Sequence, residues 1–149
     1  MVANSKLAVA LHVVTALGYN EGTFITSERL GFSVDTNPVV IRRIIADLAR
    51  AGIVESRRGK SGGAQLARAA DQISLLEVYR AIDGMTPFCL PKPGSERCVV
   101  AACMPDVLKS LLSDIDGAIE DTLGARTVAD LVTQVEAHCA PSKAGVPSA

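Results

Sequence analysis

Apolar residues recur at helical spacing along most of the chain, and turn-forming residues separate one helical segment from the next. Leucine and valine at steps of three and four residues predict a first helix over about residues 5–17. Thr26 is a suitable N-cap for a short second helix that ends at Leu30, where Gly31 stops it. The segment 32–35 is then predicted to be the turn before a third helix.

The third helix has the most clearly marked ends. Asn37 is a favourable N-cap, and Pro38 occupies the first helical position, where a missing N–H removes no intrahelical bond. Gly52 supplies the left-handed residue that commonly follows a last helical turn. Isoleucine and leucine occupy the core-facing positions, so the adjacent residues Arg42 and Arg43 are predicted to face outward.

A hairpin follows, with strands predicted over Ile53–Arg57 and Ala64–Ala67. Its tip, residues 58–63, contains three glycines, which allow a tight turn and a close approach of the backbone to a phosphate. A helix with paired arginines and a basic hairpin after it form the layout of a winged helix-turn-helix. That layout places the helix in the DNA major groove and the hairpin, or wing, against the backbone or the minor groove.

The C-terminal half is predicted to be helical and self-associating. Ser74 and Glu77 have the spacing of a capping box, so a fourth helix begins near Leu75. After a loop with prolines and cysteines, a long fifth helix is predicted from Pro105, with leucine and isoleucine at coiled-coil spacing, and a last helix covers Val128–His138. The candidate dimerisation residues are Leu108, Leu111, Leu112, Ile115 and Ile119.

The predicted fold class is therefore mainly α, a winged helix-turn-helix with a two-stranded wing and a long C-terminal dimerisation helix. The predicted organisation is a DNA-binding domain at 1–84, a Cys/Pro-containing loop at 85–103, dimerisation helices at 104–139 and a disordered tail at 140–149. Hydrophobic residues make up 48% of the 149 residues, which is enough for a packed core. Aromatic residues make up only 3%, so aliphatic side chains must fill that core.

Charge is distributed unevenly along the chain. The formal net charge is -1, which by itself disfavours a nucleic-acid partner. Between Arg42 and Arg68, however, seven cations and two anions give a local balance of +5. Between Asp71 and Ala140, eleven acids and five bases give −6. A basic unit joined to an acidic one is typical of a chain that holds a polyanion at one end.

Several classes of protein are disfavoured by what the sequence lacks. No run of 18 or more apolar residues occurs, so no membrane span is predicted and a cytoplasmic location is expected. The sequence contains no Cys-x-x-Cys pair, no nucleophile–base pair and no phosphate-binding loop on a parallel sheet. We therefore do not expect an enzyme. A permanent disulfide framework is also not expected in a reducing cytosol.

Short motifs in the helix-turn-helix and the wing are specific enough to indicate a family. They are Thr36 to Arg43, Leu48, Ala51 to Val54, Ser56, Arg58-Gly59, Gly62-Gly63, Leu66-Ala67 and Ile73 to Tyr79. These motifs resemble the IscR/NsrR/CymR superfamily of bacterial winged-helix transcription regulators, also called the Rrf-two family. The resemblance covers roughly residues 5–135. It implies a homodimer joined through the fifth helix and a DNA site with two half-sites on one face of the duplex.

The resemblance places Thr36, Asn37 and Arg43 among the residues that the recognition helix presents to DNA. Arginine can hold guanine O6 and N7 with two hydrogen bonds, and asparagine can do the same for adenine. Arg42 is expected to contact a phosphate instead. The alternative is that the two arginines only solvate a helix face, but the attached wing favours a contact with DNA.

Three cations of the wing are further candidates for contact with DNA. Arg58 is placed at the tip, where it could enter a narrow A·T-rich minor groove that concentrates negative potential. Arg57 and Lys60 are expected to meet phosphates. The alternative is a charged and solvated hairpin, yet a hairpin tip requires glycine and asparagine rather than three cations.

The cysteines leave three interpretations open. Cluster-binding members of the family carry three cysteines before the fifth helix and a fourth ligand elsewhere, and Cys89, Cys98 and Cys103 occupy that region with Asp106 as a candidate fourth ligand. The segment 33–43 instead resembles a branch with a single cysteine, which Cys98 matches. The three interpretations are a candidate iron–sulfur cluster, a thiol switch at Cys103 near a helix N-terminus, and cysteines that only pack as small hydrophobic residues.

The leading hypothesis is a homodimeric, sequence-specific DNA-binding regulator of transcription, a repressor that responds to a redox or metabolic signal. Double-stranded DNA and a second copy of the chain are its expected partners. One alternative is an iron–sulfur or thiol redox protein of the same fold. Another is a winged-helix module that binds proteins and not DNA, which would lack the steep salt dependence of DNA binding.

Overall fold

A computed structural model describes residues 3–82, 90, 92, 94 and 97–139. Across that part, six α-helices accompany one two-stranded antiparallel sheet, which confirms the predicted mainly α winged helix-turn-helix. In chain order the elements are α1 Ala3–Tyr19, α2 Ser27–Val34, α3 Pro38–Arg50, β1 Val54–Arg57, β2 Gly63–Leu66, α4 Leu75–Ala81, α5 Val99–Gly124 and α6 Val128–Cys139. A short 3-10 turn, Ala70–Gln72, precedes α4. Cys89 and the tail from residue 140 lie outside the described residues.

The core is aliphatic, as the scarcity of aromatic residues predicted. Its side chains come mainly from α1, α3, the strands and α4, with Leu30 of α2 and Val128 of α6, and no polar or charged residue among those described is buried with them. The most deeply buried include Leu17, Leu30, Ile41, Ile44 and Leu48. The isoleucines of α3 point inward, so the charged residues of that helix lie on its outer face.

The turn between α2 and α3 differs from its predicted form. The second helix continues through Gly31 to Val34 and ends at Asp35, whose φ of 55° is left-handed. Gly31 does not stop the helix; it allows close packing, because a Cβ there would lie 2.8 Å from the Thr36 carbonyl oxygen. The predicted helix end at Leu30 and the predicted turn over 32–35 were therefore wrong, because Gly31 permits a close contact with the Thr36 backbone and does not end the helix.

The wing is joined to the helix-turn-helix by its backbone. Strands β1 and β2 pair with Val54 opposite Leu66 and Arg57 opposite Gly63, close to the predicted ranges. Beyond this pair, the N–H of Ile25 donates to the Ala64 carbonyl at 2.9 Å, and the N–H of Ala64 donates to the Ile25 carbonyl at 2.8 Å. The residue that precedes α2 by two positions therefore acts as a third, one-residue strand and fixes the wing's orientation.

The predicted capping box at the start of α4 is confirmed. The Ser74 hydroxyl accepts from the Glu77 N–H at 3.2 Å, and the Glu77 carboxylate accepts from the Ser74 N–H at 2.9 Å. Arg68 donates to the same carboxylate at 2.8 Å and to the Gln72 carbonyl at 3.0 Å. The hydrogen bond from Arg68, followed by that from the Ser74 backbone, lowers the pKa of Glu77. Arg68 is thus a structural link between the wing and α4.

The fifth helix begins earlier than predicted, at Val99, and contains Pro105 in its second turn. The prediction took Pro105 as the first helical residue, which is the commonest place for proline. The segment 99–103, assigned to the connecting loop, is helical. The last helix α6 packs against α1 of the same chain, with Gly18 leaving room for Val132. It is therefore part of the same packed body as the winged helix-turn-helix.

At Gly63 we expect that even the addition of one methyl group, in Gly63→Ala, disrupts the wing. Its φ is 145°, and a Cβ would lie 2.6 Å from the Ile25 carbonyl oxygen, which accepts the Ala64 hydrogen bond. Gly63→Ala should lower the free energy of unfolding by about 1–3 kcal/mol from backbone strain and accelerate amide hydrogen exchange at Ala64. Urea unfolding and exchange measurements test this.

Gly52→Ala is the matched control. Gly52 also has a positive φ, 71°, but no heavy atom lies within 4 Å of its Cβ position. This variant should lose about 1–2 kcal/mol without faster exchange at Ala64. Equal exchange at Ala64 in both variants would contradict the assigned role of Gly63.

Candidate nucleic-acid interface

Three elements enclose one concave surface, which we call the wing groove. The N-terminus of α2, the outer face of α3 and the wing form its walls, and its volume is about 460 Å³. Its lining residues are Thr26, Ser27, Glu28, Arg42, Ile45, Ala46, Ser56, Arg57, Arg58, Gly59, Gly62 and Gly63. The recognition helix and the hairpin predicted from the sequence therefore do share one surface.

Three of the seven cations between Arg42 and Arg68 are paired with carboxylates. Arg42 donates to Glu28 of α2 at 2.7 Å. Arg50 is paired with Asp47, which also accepts from Lys6 of α1 at 2.9 Å. Arg68, described above, is paired with a carboxylate of α4. The Arg42 and Arg68 pairs link different segments of the fold, and the Arg50 pair lies within α3, so three of the seven cations are balanced inside the chain.

The other four cations lie on α3 and the wing. Arg43, Arg58 and Lys60 are exposed, and none of them forms an ion pair with any described residue. The Arg57 guanidinium lies over the Phe24 ring, 4.3 Å from its centroid, an arrangement in which the ring face attracts the cation. This contact restrains Arg57 without neutralising it. The candidate surface therefore carries four positive charges with no carboxylate paired to them.

Glu28 places a negative charge inside this basic surface. A hydrogen bond from its own backbone N–H at the start of α2, followed by the hydrogen bond from Arg42, lowers the pKa of Glu28. The carboxylate is therefore ionised at neutral pH and balances Arg42. The phosphate contact predicted for Arg42 requires the guanidinium to leave Glu28 or to bridge the carboxylate and the phosphate.

Asn37 is a helix cap in this structure. Its Oδ1 accepts from the Val39 N–H at 2.8 Å, as the predicted N-cap requires. The two-bond contact of asparagine with adenine uses both the amide oxygen and the amide nitrogen. Because the oxygen is engaged, that contact would need the cap to open. Thr36 is half-buried beside Gly31, whereas Arg43 is exposed and forms no ion pair with the described residues.

Sequence reasoning missed two exposed valines in the first turn of α3. Val39 is 47% exposed and Val40 is 40% exposed, although both are apolar. They precede the core-facing positions that begin at Ile41. A signal was present in the sequence, because three consecutive β-branched residues at a helix start cannot all face the same core.

The predicted dimerisation residues divide between two adjacent stripes of α5. Leu108, Leu112, Ile115 and Ile119 are half-buried and lie on the helix face that continues to Leu123, which packs against the core. Leu111 is 52% exposed and belongs to a second stripe with Val100, Met104 and Val107, whose exposures are 68%, 41% and 58%. Positions 100, 104, 107 and 111 are spaced by four, three and four residues, so this exposed stripe follows one helix face.

The described cysteines are all exposed free thiols. Cys98 occupies the N-cap position of α5, and Cys139 ends α6. Cys103 is the fifth residue of α5 and does not lie at its N-terminus, so the helix-end argument for a thiol switch at Cys103 loses its basis. Among residues 3–82 and 97–139, no three His, Cys, Asp or Glu side chains are grouped as metal ligands.

Within the described residues, no helix combines the length and the apolar character that a bilayer crossing requires.

Comparison with known proteins gives one consistent answer. The chain is 35% identical over 133 residues to YwnA of Bacillus subtilis strain 168, which is named as an HTH-type transcriptional regulator. The aligned region covers 89% of this chain and 98% of YwnA. A transcriptional-regulator structure from Lactobacillus plantarum superposes with a TM-score of 0.74 at 26% identity, covering 90% of this chain and 91% of that one. T. potens IscR has the same fold, with a TM-score of 0.70 at 22% identity and coverage of 93% and 90%.

A family model points the same way and spans most of the chain. The Rrf2 model, described as an iron-dependent transcriptional regulator, matches residues 3–134. Proteins of this family regulate transcription and are not enzymes, as the sequence led us to expect. The chain belongs to the Rrf2 family of transcriptional regulators.

Proposed function

We propose that this chain forms a homodimer that binds a specific DNA site in the cytoplasm and represses transcription there. The observation that carries the proposal is the set of four cations without carboxylate partners on α3 and the wing. In this arrangement α3 enters the major groove and the wing lies along the backbone or the minor groove. The unit from α1 to α4 serves DNA binding, and α5 supplies the dimer contact.

The four cations have different tasks in this proposal. Arg43 projects from the outer face of α3 and contacts guanine O6 and N7 with two hydrogen bonds. Arg58 at the wing tip enters the minor groove, whereas Lys60 and the restrained Arg57 meet phosphates. Glu28 limits the total attraction, because its charge opposes phosphates and it holds Arg42 away from them. Sequence specificity then depends on a few base contacts, because the attraction to phosphates, which all DNA sequences share, is modest.

Replacing Arg43 and Lys60 separately tests this division. Arg43→Ala should reduce discrimination between a selected site and random duplex by about 1–3 kcal/mol. Lys60→Ala should weaken binding to all duplexes alike and reduce the slope of log affinity against log salt by about 1. Fluorescence anisotropy over a salt series gives both quantities. Unchanged affinity in both variants would show that the interface is assigned to the wrong surface.

The exposed stripe on α5 is our proposed dimer seam. It presents Val100, Met104, Val107 and Leu111 to solvent in the single chain, and a second copy would cover these side chains. The half-buried stripe beside it, which includes Leu112 and Ile115, would widen the contact. A two-fold pair of chains places two recognition helices on one face of the duplex, as two half-sites require.

Leu111→Asp should therefore convert the dimer into a monomer. A charge at the centre of an apolar seam loses its hydration without gaining a partner. Ser113→Asp is the control, because Ser113 is exposed about 200° around α5 from Leu111. Sedimentation equilibrium should give the mass of one chain for the first variant and of two chains for the second. A dimeric Leu111→Asp protein would place the seam elsewhere.

The signal is proposed to act on the thiols at the start of α5. Among the described residues, which exclude Cys89, no three side chains are grouped as metal ligands, so the proposal rests on the two described thiols of this region. Cys98 and Cys103 are exposed and lie beside the proposed seam. A peroxide would oxidise either thiolate to a sulfenic acid, with cleavage of the O–O bond and departure of hydroxide.

Treatment with hydrogen peroxide should then change DNA affinity by about 5- to 150-fold, the usual range of coupling between two sites. The double variant Cys98→Ser/Cys103→Ser should not respond, whereas Cys139→Ser should respond like the parent protein. Anisotropy before and after peroxide, and again after dithiothreitol, measures this. A parent protein that ignores peroxide would exclude the thiol mechanism, and a brown colour after anaerobic purification would favour a cluster instead.

A further inference from the structure

The first turn of α3 presents an apolar surface next to Arg43. Val39 and Val40 are exposed, at 47% and 40%, and precede Arg43 by four and three residues. Side chains separated by three or four residues are neighbours on a helix surface. The two valines and the arginine therefore form one patch on the outer face of α3 that remains exposed to solvent.

This patch lies in the part of a recognition helix that meets base edges. In helix-turn-helix proteins the N-terminal residues of the second helix contact the bases. Two other polar groups near this turn are engaged within the chain, since the Asn37 Oδ1 caps the helix and Arg42 binds Glu28. Val39, Val40 and Arg43 are exposed and form no such bond to the described residues, so they are available to DNA.

A valine can recognise only an apolar feature. It offers no hydrogen bond and cannot hold a phosphate, and in the major groove of unmodified DNA the apolar group on a base edge is the C5-methyl of thymine. Building on the proposed function, we propose that Val39 and Val40 read thymine methyl groups beside the guanine that Arg43 contacts. Each half-site of the preferred DNA then contains a thymine next to a guanine.

Replacement of thymine by uracil is a direct test, because uracil lacks the methyl group and keeps the same base pairing. A preferred duplex is first selected from a random library with the full chain, and each thymine is then changed to deoxyuridine in turn. We expect one or two positions in each half-site to lose about fourfold in affinity, the effect of one buried methyl group. The other thymines should tolerate the change.

The protein variants show which side chains detect the methyl group. Val39→Ala/Val40→Ala should bind the parent duplex more weakly and lose the difference between thymine and uracil. Val135→Ala, at a valine of α6 that is also 40% exposed, is the matched control and should keep that difference. Thermal unfolding of each variant confirms that the fold is retained.

The outcomes separate this inference from the proposed function. Absence of salt-dependent binding to any duplex would overturn the proposed function itself. Selective binding that no uracil replacement weakens would overturn only the thymine inference. The same holds if the double alanine variant keeps the full uracil penalty. A double variant that binds DNA normally but no longer dimerises would assign the valines to contact between copies.

Discussion

Two hydrogen bonds between the backbones of Ile25 and Ala64 hold the wing against the helix-turn-helix, and the arrangement of the whole basic surface depends on them. A lone hairpin of this size is only marginally stable in water. The third strand position at Ile25 gives it a fixed orientation relative to α2 and α3. Gly63 makes this approach feasible because its missing Cβ leaves space at the Ile25 carbonyl. Backbone hydrogen bonds therefore determine the shape of the wing groove, and the side chains determine its charge.

Ion pairing then determines which positive charges are balanced by carboxylates. Carboxylates on α2, α3 and α4 engage Arg42, Arg50 and Arg68; the first and third pairs join different segments of the fold, and the Arg50 pair lies within α3. Exposed pairs of this kind contribute little stability individually. Their larger consequence is to balance three positive charges locally. The charges that remain are concentrated on α3 and the wing, which explains how a chain with net charge -1 can present a basic face.

The early start of α5 brings two cysteines next to an exposed apolar helix face. Because the helix begins at Val99, Val100, Met104, Val107 and Leu111 form one exposed apolar stripe. Cys98 and Cys103 lie within about one helical turn of this stripe. Chemistry at either thiol would then act close to the proposed contact between two chains. A small change in that contact would alter the spacing of two recognition helices, which is a population shift between two dimer geometries.

Local residue chemistry was enough to predict the strongly capped helices, including the Asn37 cap, the capping box at Ser74 and Glu77, the wing strands and the family. The boundaries at Gly31 and Pro105 were predicted wrongly, because the roles of these two residues depend on neighbours in space and on position within a helix. The pairing of three arginines with carboxylates and the exposure of Val39 and Val40 became visible in the folded chain and not in the sequence. Charge pairing and burial join residues far apart in the chain, and periodicity along a sequence carries no record of those distances.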